Sequence, residues 1–547
     1  MSAGDPSPPE GNGFDRRSFL RLGAGAGAAL AGVSGLAALA GNEPAFAASA
    51  PKHGGSLQVA TEAEEDGFDP GLVTWDTSGV IYARTVYDSL AVLGANGSVQ
   101  PYLAQSIKHN ADYTSWTITV RPNITFHNGA PLNGAALYAN AEHLVASPIV
   151  GPALSPIADI AVSGPYSITF TMKQPWVAFP YGLTGQAGMV AEPGSLKNGT
   201  AMRNPIGTGP FVFKEWVPGD HFTATRNPHY WRPGLPYLNS ITYRPIPDIA
   251  SRDDSLKSGT VSLLISSDVQ SIVDFRGNSQ YVITTDLHKV TGETDQIFLM
   301  LNAASPPLDD VRVRTALAYA ISPKVINDTL GYGIAPLSTG PFTAGTPLYA
   351  PTGYPQYNPA KAKALLRQVA AEKGPISFAM GCTNVGRNLQ TMELVQAELQ
   401  SVGVKTTINQ VLQSSYITNA LFGKYQLYLW RQFGTPDPDS NFIFWSSTTT
   451  GAIGSESLNF ARNKDSLIDA ALTVGRENPN PRLRIKAYQQ VARRFAADIP
   501  YLWLTRAVWT VVHAQNVTGL LNPTVPGGTP ALPIISGVFF PSNLSLT

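Results

Sequence analysis

Cysteine is almost missing from this sequence: Cys382 is the only one among 547 residues. No intramolecular disulfide can form, and no acylated cysteine can stand beside an N-terminal cleavage site. Charge is sparse as well. Asp, Glu, Lys and Arg make up 14% of the chain, where about a quarter is usual. Basic and acidic residues balance at 38 each with no basic stripe, so no nucleic-acid partner is expected. Beyond residue 47 no run is apolar enough to span a bilayer. The chain has no G-x-x-x-x-G-K-S/T loop, no H-E-x-x-H, no C-x-x-C and no G-x-S-x-G. Those absences remove the phosphate-cradling loop, the zinc-protease helix, the dithiol redox pair and the hydrolase elbow. The eight histidines are scattered, and none forms a ligand pair at metal spacing.

What is present is length, turns and a leader. A chain of 547 residues exceeds one ordinary core, so two or more lobes are expected. Its 44 prolines and 50 glycines are spread along the chain, which suits many ordered turns. Near the N-terminus, Asp15-Arg16-Arg17-Ser18-Phe19-Leu20 precedes a Gly/Ala/Leu run, and Ala45-Phe46-Ala47 follows. Paired arginines, a weakly apolar run and an A-x-A site read as a twin-arginine export signal over residues 1–47. Those residues carry three basic and four acidic groups, so the remainder stays near neutral. An exported chain without disulfides must rest on a large apolar core.

The periodicity mixes strand and helix. Ser56–Ala60 reads as a strand and Val80–Leu93 as a helix. Trp116, Ile118 and Val120 alternate with threonines, as a half-buried strand does, and Ser167–Met172 and Phe222–Thr225 alternate likewise. Asn128-Gly129 marks a turn. Asp310 caps a helix through Ala320, Asn358-Pro359 opens another, and Asn480-Pro481 opens a third with Leu483, Ala487, Val491 and Phe495 on one face. Ile206-Gly207-Thr208-Gly209-Pro210-Phe211 looks like a phosphate cradle. However, Pro210 has no N–H to offer, and Phe211-Val212-Phe213 opens a strand, so a structural turn is the better reading.

The stretch Trp430 to Trp445 sets Asp437 and Asp439 among aromatics. Paired carboxylates of this kind do glycoside hydrolysis when held about 5 Å apart, or somewhat further for inversion. Residues i and i+2 do not converge by themselves, and Asp-Pro with Pro-Asp-Ser is ordinary turn and capping chemistry. Asp439 or Ser440 is expected to cap a helix over Phe442–Trp445.

Many short pieces occur in one order. They run from Gly54-Gly55-Ser56-Leu57 and Phe68-Asp69-Pro70 to Val86-Tyr87-Asp88-Ser89-Leu90 and Phe126-His127-Asn128-Gly129. Asn204-Pro205-Ile206-Gly207-Thr208-Gly209-Pro210-Phe211 leads to Asn227-Pro228-His229-Tyr230-Trp231, then to Leu301-Asn302, Asp309 to Ile321, and Tyr357-Asn358-Pro359-Ala360. With them the chain, over nearly all of residues 54–500, resembles the extracellular solute-binding proteins of ABC transporters, family 5, which include dipeptide, oligopeptide and nickel-chelate binders. The resemblance implies an α/β, two-lobed periplasmic-binding-protein-like fold of type II, with mixed sheets flanked by helices. One lobe would take residues 48–290 plus 500–547, with a sub-domain inserted at about 80–205. The other would take 291–499.

It also implies a non-catalytic, exported receptor in the periplasm or cell envelope. The receptor would be a monomer, without a cofactor and not a lipoprotein. It would close two lobes on a small solute and deliver it to membrane permease subunits. Cleft positions carried over by this resemblance are Phe68, Trp75, Gln186, Asn302 and Phe342, with Trp430, Arg431, Gln432, Phe433 and Gly434. In peptide-binding members an aspartate in the last stretch pairs with the peptide's α-ammonium. Here that position falls on Phe433 or Gly434, and neither is acidic. Arg431 stands beside it and suits a carboxylate, phosphate or sugar acid. Two other readings are a secreted hydrolase acting through Asp437 and Asp439, and a carrier of a nickel or haem chelate.

Overall fold

The computed structural model describes residues 51–285, 293–432 and 434–547. The expected leader, the expected boundary at 290/291 and Phe433 lie outside the described residues.

Three sheets organise the rest. The first lobe is built on a seven-stranded sheet. In spatial order its strands are Tyr281–Thr285, Thr510–Ala514, Leu263–Ser266, Ser56–Thr61, Ser240–Pro245, His221–Arg226 and Phe211–Val217. At its centre Ser56–Thr61 runs parallel to both Ser240–Pro245 and Leu263–Ser266. The second lobe is built on a five-stranded sheet ordered Lys405–Val411, Ser377–Thr383, Leu427–Gln432, Gln296–Leu301, Tyr501–Arg506. There Ser377–Thr383 is parallel to both its neighbours. A four-stranded antiparallel sheet, from Ala104–His109 to Ser167–Met172, forms the inserted sub-domain. Each sheet has its own core, around Tyr82 and Phe222, around Leu427 and Trp503, and around Ile118 and Phe170 respectively.

Alternation sets these faces. Trp116, Ile118 and Val120 point into the sub-domain core while Thr117 faces outward, its hydroxyl 2.9 Å from that of Thr169. The helix caps fall where the sequence places them. Asp310 accepts from Arg312 N at the head of Val311–Ala320, Asn358 from Lys361 N, and Asn480 from Arg482 N. On Pro481–Asp498 the residues Ala487, Val491 and Phe495 are buried, but Leu483 is exposed, because the first turn lies beyond the packed stripe.

Two expectations need correction. The helix read over Val80–Leu93 is Thr77–Val86. Asp88 then leaves the helix to accept from Trp231 Nε1 at 2.7 Å and Tyr230 Oη at 3.1 Å, and Ala91–Leu93 is a strand. Burial pushes the Asp88 carboxyl up to about 7 against those donors. The return to the first lobe comes later than residue 500. Tyr501–Arg506 pairs with Gln296–Leu301, and only Thr510–Ala514 joins the first sheet. Rings of Tyr501 and Trp503 packed on Phe298 and Phe495 hold that strand in the second lobe.

The glycine-rich turn is structural. A Cβ on Gly207 or Gly209 would meet the Val86 carbonyl oxygen at 2.2 or 2.5 Å, so only glycine lets the turn lie on that backbone. Phe211–Val217 then begins as a strand.

Candidate functional site

In open sheets with parallel strands, ligands gather beyond the carboxyl ends of those strands. On the first lobe these ends are Thr61, Pro245 and Ser266, and on the second they are Thr383, Val411 and Gln432. Side chains at these ends meet across the two lobes. Arg431 Nη2 donates to Ser267 Oγ at 2.9 Å, and Arg387 reaches Asp268 at 3.3 Å. The Tyr332 hydroxyl donates to Gln270 beside them. Ser267 is itself fixed by Glu62, whose carboxylate accepts from Ser267 N at 2.6 Å and from its hydroxyl at 3.0 Å.

At the crossing between the lobes stands Asp295, fully buried. Its carboxylate accepts from Trp509 Nε1 at 2.9 Å, Ser536 Oγ at 3.0 Å and Gly434 N at 3.2 Å. Burial raises its pKa, and the Trp509, Gly434 and Ser536 donors and the Arg431 charge oppose that. Arg431 lies over the Trp509 indole, 5.4 Å from the ring centroid. One cluster therefore joins the end of strand Leu427–Gln432, the link after Tyr501–Arg506 and the loop beyond Leu263–Ser266.

Residues 98–453 match the model for the middle region of the bacterial extracellular solute-binding proteins, family 5. The chain belongs to that family. Among its relatives is the glutathione-binding protein GsiB of Salmonella typhimurium, 26% identical over 507 residues, covering 88% of this chain and 94% of the relative. The fold is that of two-lobed periplasmic binding proteins. The DppA protein of Helicobacter pylori, solved with the peptide STSA, superposes with a TM-score of 0.79 at 22% identity, covering 90% of this chain and 98% of that one. AgaA of A. tumefaciens, solved with agropinic acid, gives 0.78 at 22% identity over 90% and 99%.

Within this family-5 frame the expected cleft residues separate into groups. Arg431 and Gly434 meet at Asp295 as described. Strand alternation turns Trp430 and Gln432 to the other face, where Trp430 Nε1 donates to Gln432 Oε1 at 3.2 Å. Trp430 also stacks on Tyr416, with centroids 5.7 Å apart. Trp75 and Gln186 form a staple. Gln186 Oε1 accepts from Trp75 N at 3.3 Å, and its Nε2 donates to the carbonyls of Pro70 and Val73 at 2.8 and 2.6 Å. Phe342 sets its edge against Trp445 and Tyr488 in the second lobe.

Two of the expected positions are interior. Phe68 is wholly buried against Trp216 and Phe222. Asn302 is wholly buried too, its amide donating to the carbonyls of Gly423 and Tyr425.

The two aspartates also take other roles than expected. The helix Phe442–Trp445 has Asn441 at its head with no side-chain cap, so neither Asp439 nor Ser440 caps it; Asp437 caps the 3₁₀ turn before it, Pro438–Asn441, accepting from Asp439 N at 3.0 Å. Asp437 is paired with Arg484 at 2.6 Å. Asp439 pairs with Arg476 Nε at 2.8 Å and accepts from Trp176 Nε1 of the inserted sub-domain at 2.7 Å. Both carboxylates are occupied and nearly dry, so neither is free to act as acid, base or nucleophile. Sequence reading missed Ser267, Asp295, Arg387 and Trp509. The signal for them was the position just past each strand's carboxyl end, as in Leu263–Ser266 followed by Ser267-Asp268.

Proposed function

We propose that this chain is the exported binding component of an ABC importer, a receptor that closes two lobes on a small polar organic solute and presents it to membrane permease subunits. The observation that carries the reading is the meeting of the two sheets' parallel carboxyl ends across a seam of single side-chain contacts, Arg431 to Ser267 and Arg387 to Asp268. Part-exposed polar contacts of that kind are individually weak, so a hinge can break and remake them; beside them Val269 and Ile272 pack on Ile334. No bond is made or broken. The same reading puts the mature chain in the periplasm or cell envelope as a monomer. It would be exported by the twin-arginine route through residues 1–47 and, with Cys382 buried in a second-lobe strand, not lipid-anchored.

The relatives' ligands range from glutathione and a peptide to agropinic acid, so membership leaves the solute class open. Native mass spectrometry of freshly purified protein identifies any solute carried through purification. A thermal-shift panel follows. A true ligand at 100 times its dissociation constant stabilises the fold by about 2.7 kcal/mol. A protein that carries no solute and is shifted by none would sink the receptor reading.

A further inference from the structure

We infer that the solute carries a carboxylate, and that Arg431 is the residue that recognises it. The inference rests on the solute-binding reading above and adds the chemical class of the solute.

The guanidinium of Arg431 is fixed in place: its charge lies near the buried Asp295, while most of its hydrogen-bond donors are unused. It lies over Trp509, and one nitrogen, Nη2, donates to Ser267. Its Nε and Nη1 have no partner among the described residues, and the side chain is only half-buried. Arginine carries five N–H donors in a planar fork that matches a carboxylate edge. Its backbone stands at the carboxyl end of a parallel strand, where ligands gather. A stacked guanidinium with spare donors at that place is preorganised for an anion.

The neighbouring cations have no such capacity. Arg387 is held by Asp268 and the Leu330 carbonyl. Arg506 is buried and donates to the carbonyls of Gly340 and Pro341. Arg252 is buried on Ile246 O and Ser266 Oγ.

The acids nearby are occupied in turn. Asp295 accepts from Trp509, Ser536 and Gly434. Glu62 holds Ser267 and lies 3.5 Å from Arg252. Asp268 holds Arg387 and the backbone N–H of Gln270. Gly434 offers no side chain to an ammonium. A Cβ there would meet Thr294 O at 2.8 Å, so an acid does not fit that position without movement. The cluster thus has an open site for negative charge and none among these groups for positive charge.

The competing account of Arg431 is purely mechanical, a strap tying the lobes through Ser267. Ser267→Ala separates the two, since it removes the strap and leaves the guanidinium. The test uses the full chain with three probe classes: dicarboxylic and sugar acids of four to seven carbons, the matching amides, and tetrapeptides with free N-termini. Thermal shift finds the binders and calorimetry measures them. Acids are expected to bind at least about 10-fold more tightly than their amides, and Arg431→Gln to weaken them about 10- to 100-fold, the usual range for a lost hydrogen bond to a charged group. Arg431→Lys should recover part of the loss, and Ser267→Ala should keep the preference for acid over amide.

Equal binding of acid and amide, tighter binding of the free-amine peptides, or undiminished acid binding by Arg431→Gln would each overturn the inference while leaving a solute receptor. If Arg431→Gln does not fold, the acid-to-amide ratio of the wild type decides. Binding of none of the three classes, with no solute found by mass spectrometry, overturns the receptor reading and this inference together.

Discussion

Arg431 and Asp439 stand in one short segment, yet they end in opposite situations. Asp439 is dry, with its side chain and that of Arg476 each only 6% exposed. Arg476 and the Trp176 indole occupy both its oxygens, and the backbone adds Val177 N donating to Arg476 O at 2.9 Å. Arg476 is further enclosed by the Phe442 ring, 3.7 Å from its guanidinium carbon. Arg431 is half-buried, and among the described residues its side chain makes one hydrogen bond and keeps its other donors open. The charged, aromatic-flanked aspartate that attracts attention in the sequence is a joint between the inserted sub-domain and the second lobe. The arginine before it is the group left open. Unused hydrogen-bonding capacity at a strand end, rather than the mere presence of charge, distinguishes the two.

The largest test of this contrast removes one partner of the dry pair. Asp439→Ala leaves Arg476 uncompensated in a closed interface, and losing one partner of a buried ion pair costs about 3–5 kcal/mol. Urea unfolding followed by tryptophan fluorescence should show that loss. The double change Asp439→Leu with Arg476→Met should recover most of it, since apolar residues of similar volume replace buried pairs with little loss. A cost below about 1 kcal/mol, the range of exposed pairs, would place Asp439 in the same class as the cleft contacts and erase the distinction.

Glu65 shows a third fate for a charge-bearing group. Its carboxyl lies against Gly79 in the first turn of Thr77–Val86, close to the capping Asp76. No cation among the described residues neutralises it. Burial first, then the Asp76 charge, pushes its pKa from 4.5 up to about 10. The native state therefore keeps a proton that the unfolded chain releases above pH 4.5. Stability from this group is present below 4.5 and is lost as pH rises towards 10. Asp88, pushed up to about 7, acts in the same sense over a narrower window. Glu65→Gln keeps the shape and cannot ionise. Melting temperatures near pH 5 and pH 8.5 should be similar for wild type and variant at the lower value, with the variant more stable at the higher. Parallel pH profiles for the two proteins would mean that Glu65 is ionised and paired.

Much of the fold was legible because it depends on local rules. Alternation predicted Ser167–Met172 to the residue, and Asp310, Asn358 and Asn480 cap where the sequence puts them, since a cap needs only its own first turn. The glycine turn at Gly207 and Gly209 was readable as structural from Pro210 and the strand signal of Phe211-Val212-Phe213 after it. What failed depended on partners distant in sequence. The helix expected over Val80–Leu93 ends at Val86, and Asp88 accepts instead from Trp231 and Tyr230, distant partners that no local signal announces. Tyr501–Arg506 stays with the second lobe because Phe298 and Phe495 pack on it. At the site, a motif placed Trp430 to Gly434 in one wall. It did not reveal that alternation sends Trp430 and Arg431 to opposite faces, or that Ser267 and Trp509 complete the cluster from elsewhere in the chain.

The smallest expected effect on stability, and the most direct on motion, lies at Arg387 and Asp268. Their side chains are 28% and 14% exposed, and the closest approach is 3.3 Å. Solvent screens such a pair, so Asp268→Asn should cost no more than about 1 kcal/mol in unfolding. The pair nevertheless spans the seam, and it exists only while the lobes are together. Removing it should raise the radius of gyration of the solute-free protein in small-angle scattering. Apparent affinity for the solute should fall by a few-fold, because binding then draws on a smaller closed population. Asp439→Ala, by contrast, should lower the melting temperature far more than it changes that population. If Asp268→Asn instead unfolds the protein and leaves the scattering of the remaining folded fraction unchanged, the contact at the seam is as structural as the joint at Asp439, and the cleft must open elsewhere.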